Sequence, residues 1–189
     1  MAASTKSKPG LNPAKADSAF TAFLTSRAPQ EDVAAYEPAA LDAAAKLAAA
    51  ALARHRSGQS VISVDSSDAV DYRGRPLTVI TVINDNMPFL FDSIVSEITD
   101  SAGEPTLVLH PVLLVKHGRS GVSEIVGDGT GTRASEGVDR VSLIHVHVAR
   151  QSASAGAALA KRLDHIISQV RAAVVDWKPM LARVDQAIT

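Results

Sequence analysis

The sequence predicts an α+β domain, an antiparallel sheet with helices packed on one face, preceded by an alanine-rich helical segment. Three observations carry this. Residues 77–83 (LTVITVI) are apolar on both alternations, as in a central strand covered on two sides. Residues 141–149 alternate instead, with Ser142, Ile144, Val146 and Val148 on one side and Leu143, His145 and His147 on the other. Beyond them, Leu159, Leu163, Ile166, Val170, Val174, Trp177, Leu181, Val184 and Ile188 recur at three- and four-residue steps, the period of a long amphipathic helix.

Taken in order, the polar residues 1–14 read as a flexible tail. From Lys15, the residues Ala16, Ala19, Phe20, Phe23 and Leu24 share a helical face. A second helix is expected near Pro29, and Pro38 starts or kinks a third that runs to about Arg56. Ten of residues 39–53 are alanine, which favours helix and leaves thin side chains for close packing. Val33, Tyr36, Leu41, Leu47 and Leu52 are its expected larger contacts, and Gly58 its stop. Strand candidates follow at 61–64 and 77–83, separated by a polar turn region that extends through Pro76. Residues 89–101 are helical, with Leu90, Ile94, Val95 and Ile98 on one side and Gly103 at the end. The 107–115 strand contains Pro111, which removes a backbone donor and marks an edge or a bulge. A short strand at 122–126 leads to a glycine-rich loop. The phase of the last helix survives Pro179, so a kink is expected there.

From residue 77 the order resembles β-α-β-β-α, the beginning of a ferredoxin-like sandwich without its final strand. Either 61–64 fills the vacant place beside the 77–83 strand, antiparallel to it, or another chain does. The chain thus divides into a tail (1–14), a helical segment (15–58) and an α+β domain (59–189). The last helix covers the sheet, or its stripe forms a coiled-coil face between two copies.

Composition narrows the function. The 189 residues are 46% hydrophobic and 21% charged, enough for a real core. Nineteen basic residues against twenty acidic ones leave a net charge of −1, which offers no basic footprint for nucleic acid. With no cysteine there is no disulfide or thiolate metal site. No apolar run reaches membrane-spanning length and the N-terminus lacks a signal-peptide core, so a cytoplasmic protein is expected.

The candidate site is the 84–92 stretch, NDNMPFLFD, where a buried strand passes directly into a helix. Pro88 fits a first helical turn, and Asn84, Asp85 and Asn86 are the residue types that cap one. A helix start facing a strand end attracts anions through its free amides and dipole. On a bland reading Asn86 or Asp85 only caps the helix, Asp92 favours its dipole, and Met87, Phe89 and Phe91 belong to a core or an interface. His145 and His147 have the spacing for two imidazoles to reach one metal, with His110 on a neighbouring strand as a third candidate. The alternative is two histidines packed under a helix or at an interface. Gly127 to Gly131 (GDGTG) lacks both the dinucleotide fingerprint and the phosphate-loop ending. No G-x-S-x-G elbow supports a hydrolase, and Ser93 has no partners for one.

Several motifs in order resemble a known family. They are TVITVINDNMPFLFDSI, LHPVLLVK, SLIHVHV and AVVDWKPM, with EDVAAY upstream, together covering about residues 31–180. The set is similar to the N-terminal region of the large bacterial NAD-specific glutamate dehydrogenases, where a comparable M-P-F-L-x-D-S motif follows the first strand of an ACT-like domain. The resemblance implies an ACT-like sandwich with no catalytic residue of its own. It implies a fragment that starts at the native Met1 and stops before the catalytic part, where NAD is bound and glutamate is deaminated to 2-oxoglutarate. The implied partners are that catalytic part of the same enzyme and further copies of the chain, with an amino acid as effector. In that picture amides near Pro88 to Leu90 take the effector's carboxylate, Asp85 or Asp92 its ammonium group, and Asn84 and Asn86 add hydrogen bonds. The other implied role is architectural, holding subunits or domains together without a ligand. The family carries an acidic residue where His147 stands, which sets the histidine pair apart from it.

Overall fold

The computed structural model describes residues 11–13, 18–66, 68–131 and 134–188, with 176–188 described as helical backbone alone. Most of the expected tail, and residues 15–17 of the first helix, lie outside the described residues. Leu11, which falls within the expected tail, is paired with Ile125 by two backbone hydrogen bonds of 3.0 and 2.7 Å.

Among the described residues three helices precede the sheet. α1 (Ser18–Thr25) buries Phe20 and Leu24, one turn apart. α2 (Gln30–Ala34) is a single turn after Pro29. α3 (Pro38–Arg54) begins at Pro38, whose missing N–H would be unpaired there in any case. Its buried face is made of Ala40, Ala44, Ala45, Ala48, Ala49 and Ala51 with Leu52, so alanine itself is the contact surface. Of the larger side chains expected to carry the contact, Tyr36 and Leu52 are buried, while Leu41 and Leu47 only flank the cluster.

Among the described residues the sheet has seven strands, all antiparallel. β1 (Val61–Asp65) pairs with β3 (Arg75–Asp85), Val61 opposite Ile83, and so takes the place of the missing final strand. Between them β2 (Asp71–Tyr72) forms a hairpin with the start of β3, in the region expected to be only a turn. Its two-residue loop, Arg73 and Gly74, has positive φ at both positions (53° and 74°), the geometry that matches the twist of paired strands. After α4 (Leu90–Ala102) the chain forms β4 (Leu107–Leu109) and β5 (Val112–His117), interrupted at His110 and Pro111 as Pro111 suggested. Both pair with β7 (Asp139–Ala149) in one unbroken register, Leu109 opposite His145 and Val112 opposite Ser142. β6 (Val122–Asp128) adds an outer strand to β5. The order β1-β3-β7-β5-β6 is the ferredoxin-like order with that extra strand.

Each face has its own core. Ile80, Val82, Ile144, Val146 and Val148 meet Leu90, Ile94 and Ile98 of α4 and Leu159, Leu163 and Ile167 of α5 (Ala153–Ile188). Thus α4 and α5 share one face, as expected, with Ile167 rather than Ile166 fully buried. The opposite face carries Leu77, Val79, Ile83, Val141 and Leu143 against α1 and the alanines of α3. Burial of each such Leu or Ile contributes about 1.5–3 kcal/mol. α5 continues as helix through Pro179; the side chains from Trp177 onward, and the expected kink, lie outside what is described.

Candidate functional site

The site is organised by β3, whose last residues point alternately to the two faces of the sheet. Asn84 is 1% exposed and turns toward α5, where its Oδ1 accepts a 2.8 Å hydrogen bond from Arg171 Nη2. Its Nδ2 donates to the Asp85 carbonyl at 2.8 Å. Asp85 turns toward α3, and its Oδ2 accepts the Gly58 N–H at 2.7 Å. Asn86 extends the ladder, donating its N–H to the Arg140 carbonyl at 2.9 Å. None of the three caps α4, so the cap expected from Asn86 or Asp85 is corrected, while Asp92 does lie in the first turn and Met87 and Phe91 do pack on the core, as the bland reading had them. The residue before the helix is Phe89, in the left-handed region at φ 65°, and it makes no side-chain capping bond. Pro88 lies in the turn ahead of the helix, not in its first turn. The physical reason is that Arg171 and Gly58 already engage the Asn84 and Asp85 side chains, and the position before the helix falls on Phe89, three residues beyond Asn86.

The result is an uncapped helix start with Asp92 in its first turn, and the first-turn amides of a helix have no partner within it. Met87 packs against the α4–α5 core, while Pro88 and Asp92 are exposed and Phe89 is 54% exposed.

His110 joins this group and not the other histidines. Leu109 lies opposite His145, so the next residue projects to the other face. There the His110 ring stacks on Phe91 of α4 (centroids 4.3 Å, interplanar angle 3°), and its Nε2 is 2.6 Å from Ser142 Oγ. Burial pushes the His110 pKa down, against the pull of Asp92. The stacked pair also walls a cavity of about 210 Å³, closed on its other sides by Phe23, Leu24, the α1–α2 turn and the end of β6. At that cavity Arg27 is ion-paired with Asp128, so both signs of charge face it. The Thr130 N–H and Arg27 hold the Asp128 carboxyl below the usual carboxylate range.

His145 and His147 do share a face, and both are fully buried. They are links in a hydrogen-bonded chain: Thr81 Oγ1 to His145 Nδ1 (2.9 Å), His145 Nε2 to His147 Nε2 (3.0 Å), His147 Nδ1 to Tyr36 hydroxyl (3.1 Å), and Tyr36 hydroxyl to Thr106 Oγ1 (2.8 Å). Thr106 donates onward to the His147 carbonyl at 3.3 Å. That last bond uses the only hydroxyl proton of Thr106, so Tyr36 donates to Thr106, His147 to Tyr36, His145 to His147, and Thr81 to His145. Every polar atom is satisfied by both rings being neutral. Burial pushes the His147 pKa down to about 4 and that of His145 well below its ordinary value. Among the described residues no group of three or more His, Asp or Glu is arranged to hold a metal ion.

Sequence reasoning missed Arg171, Arg27 and Asp128. Nothing local marks them, because each reaches its partner across about 87 to 101 residues of chain.

Residues 20–163 match the model of the family described as glutamate dehydrogenase, ACT1 domain. Comparisons with curated proteins and with solved structures returned no match.

Proposed function

We propose that this chain, which belongs to the glutamate dehydrogenase ACT1 domain family, is a regulatory N-terminal domain that senses an amino acid at the β3–α4 junction. The observation that carries the reading is the uncapped start of α4 beside the Phe91–His110 stack. Open amides and a positive helix end suit a carboxylate, and Asp92 in the same turn suits an ammonium group. The adjoining cavity, with Arg27 and Asp128, suits the same zwitterion. Its volume of about 210 Å³ falls below that of a drug-sized pocket and far below the needs of a dinucleotide.

In this reading the chain performs no chemistry. NAD is the cofactor of the catalytic part of the same enzyme, which is the domain's first partner. The junction here offers no dinucleotide seat: β3 passes into α4 through Asn-Asp-Asn-Met-Pro-Phe, without the glycines that let backbone approach a pyrophosphate. No described helix is long and apolar enough to cross a membrane, and we place the enzyme in the cytoplasm.

Calorimetric titration with glutamate, aspartate and other amino acids tests the sensor. Heat and thermal stabilisation are expected, weakened at least tenfold by Asp92→Asn and by Arg27→Ala; no response to any amino acid sinks it. The architectural reading draws on a different observation, the exposed Val175 of α5 (65%). A large apolar side chain left in solvent suits contact with another copy or with the rest of the enzyme. Concentration-dependent self-association lost in Val175→Ser, with no ligand response, favours that role.

A further inference from the structure

On the α3 side of the junction four titratable side chains from four elements stand in line. Asp85 ends β3, His55 follows α3, His117 ends β5 and Asp139 begins β7. His117 Nδ1 is 2.8 Å from Asp139 Oδ2, and His117 Nε2 is 3.1 Å from His55 Nδ1. His55 Nε2 faces Asp85 Oδ1 at 3.6 Å, and both atoms are buried without a hydrogen-bond partner.

Counting protons explains the gap. Three links need three protons, the two carboxylates bring none, and two neutral imidazoles bring two. One link must therefore stay open. Asp139 only accepts, so His117 donates from Nδ1 and accepts at Nε2 from His55 Nδ1–H. The His55 Nε2 lone pair then points at the Asp85 carboxylate, which is where the long distance falls. A bridging water needs about 4.5 Å between its two partners, given ordinary hydrogen-bond lengths. Among the described residues the ligand set for a metal ion is also missing. What fits is one more proton.

The surroundings set where it binds. His55 is fully buried, which pushes its pKa down; Asp85 pulls it up, His117 pushes down, and the Gln59 backbone and Asp139 pull up. Arg54 and Arg56 flank His55 in sequence but are exposed, and Lys116 beside His117 is paired with Glu124. Arg140, next to Asp139, projects to the other face of β7.

We propose that Asp85, His55, His117 and Asp139 form a one-proton switch, in which a single proton taken up by the histidine pair closes the open link and fastens the end of α3 to the β3–α4 junction. It acts on the acid side of neutrality, within the folded protein. With the proton bound, both Asp85 oxygens are engaged, one by Gly58 and one by His55.

The test is imidazole NMR on the whole chain labelled with ¹⁵N-histidine, titrated from pH 7.5 to 5, with His55→Gln and His117→Gln assigning the signals. The expected result is one added, slowly exchanging N–H on the pair, with the Gly58 and Asn86 amide signals moving on the same midpoint. Asp85→Asn is expected to lower that midpoint by a pH unit or more, a tenfold loss of proton affinity. A pair that stays neutral until the protein unfolds overturns the proposal, as does uptake of two protons or an unchanged midpoint in Asp85→Asn. Should that variant not fold, Asp139→Asn carries the same expectation, and the wild-type titration decides by itself whether one proton is taken up.

Discussion

Acidification from pH 7 to 4.5 is expected to destabilise the fold through its buried neutral histidines, with His147 the clearest case. Its pKa is about 4 when folded, against an ordinary value of 6.5. Between those values the unfolded chain binds a proton that the folded chain refuses, so stability is complete above pH 6.5 and falls as pH drops toward 4. Over the roughly 2.5-unit window, at about 1.4 kcal/mol per unit, His147 alone accounts for about 3 kcal/mol. His145, His55 and His110 are shifted in the same direction, so the total slope exceeds that of one proton. The assay is urea denaturation at half-unit intervals of pH, comparing the native chain with His147→Gln. Glutamine retains a donor and an acceptor for the Tyr36 and His145 links but cannot titrate. The variant should start less stable at pH 7 by about 1–3 kcal/mol, the range for disturbing a buried hydrogen bond. It should then lose about 1.4 kcal/mol less per pH unit than the native chain in the steep part of the profile. Parallel profiles for the two proteins refute the reasoning, as does a native stability that does not change down to pH 4.5.

Other expectations follow from packing. A Cβ on Gly121, which has φ 142°, would lie 2.0 Å from the Ala53 carbonyl oxygen, so Gly121→Ala should lower the melting temperature markedly. Gly58→Ala, where a Cβ meets open space, should cost only about 1 kcal/mol from its positive φ. Ala48→Leu should destabilise by about 1–3 kcal/mol in chemical denaturation, because the fully buried alanine lies between α3 and the sheet. Arg171→Ala leaves the buried Asn84 Oδ1 unpaired and should cost about 1–3 kcal/mol by the same measurement.

How far the fold can be read from the chain depends on the range of the interaction. The two-sided apolar run of β3, the alternation in β7 and the four-residue spacing of Leu90, Ile94 and Ile98 are local patterns, and each survives intact in the structure. Pro111 marks the break between β4 and β5 because a missing donor acts where it stands. The β2 hairpin escaped because its turn uses Arg73, a residue that seldom takes positive φ, in place of the usual Asn or Asp. The helix start was misread for a related reason. Asn84, Asp85 and Asn86 are good caps in isolation, but Arg171 and Gly58 engage the first two, and the helix starts only after Phe89, three residues beyond Asn86.

The candidate site divides along the same line. The strand-to-helix junction it rests on was legible, since a polar cluster between a buried strand and an amphipathic helix is a local signal. Its membership was not: His110 left the other histidines because strand parity in the β4–β7 register sends it to the opposite face.

By itself the sequence determined most of the elements, the family and the place of the strand-to-helix junction, because propensity and periodicity are properties of neighbours along the chain. Only the tertiary structure decided which histidines are linked, which face the alanine helix covers, and that Asp85 looks to His55 and not to the helix beside it. Those outcomes turn on groups dozens of residues apart competing for the same hydrogen-bond partners in a buried space, and such a competition has no local signature.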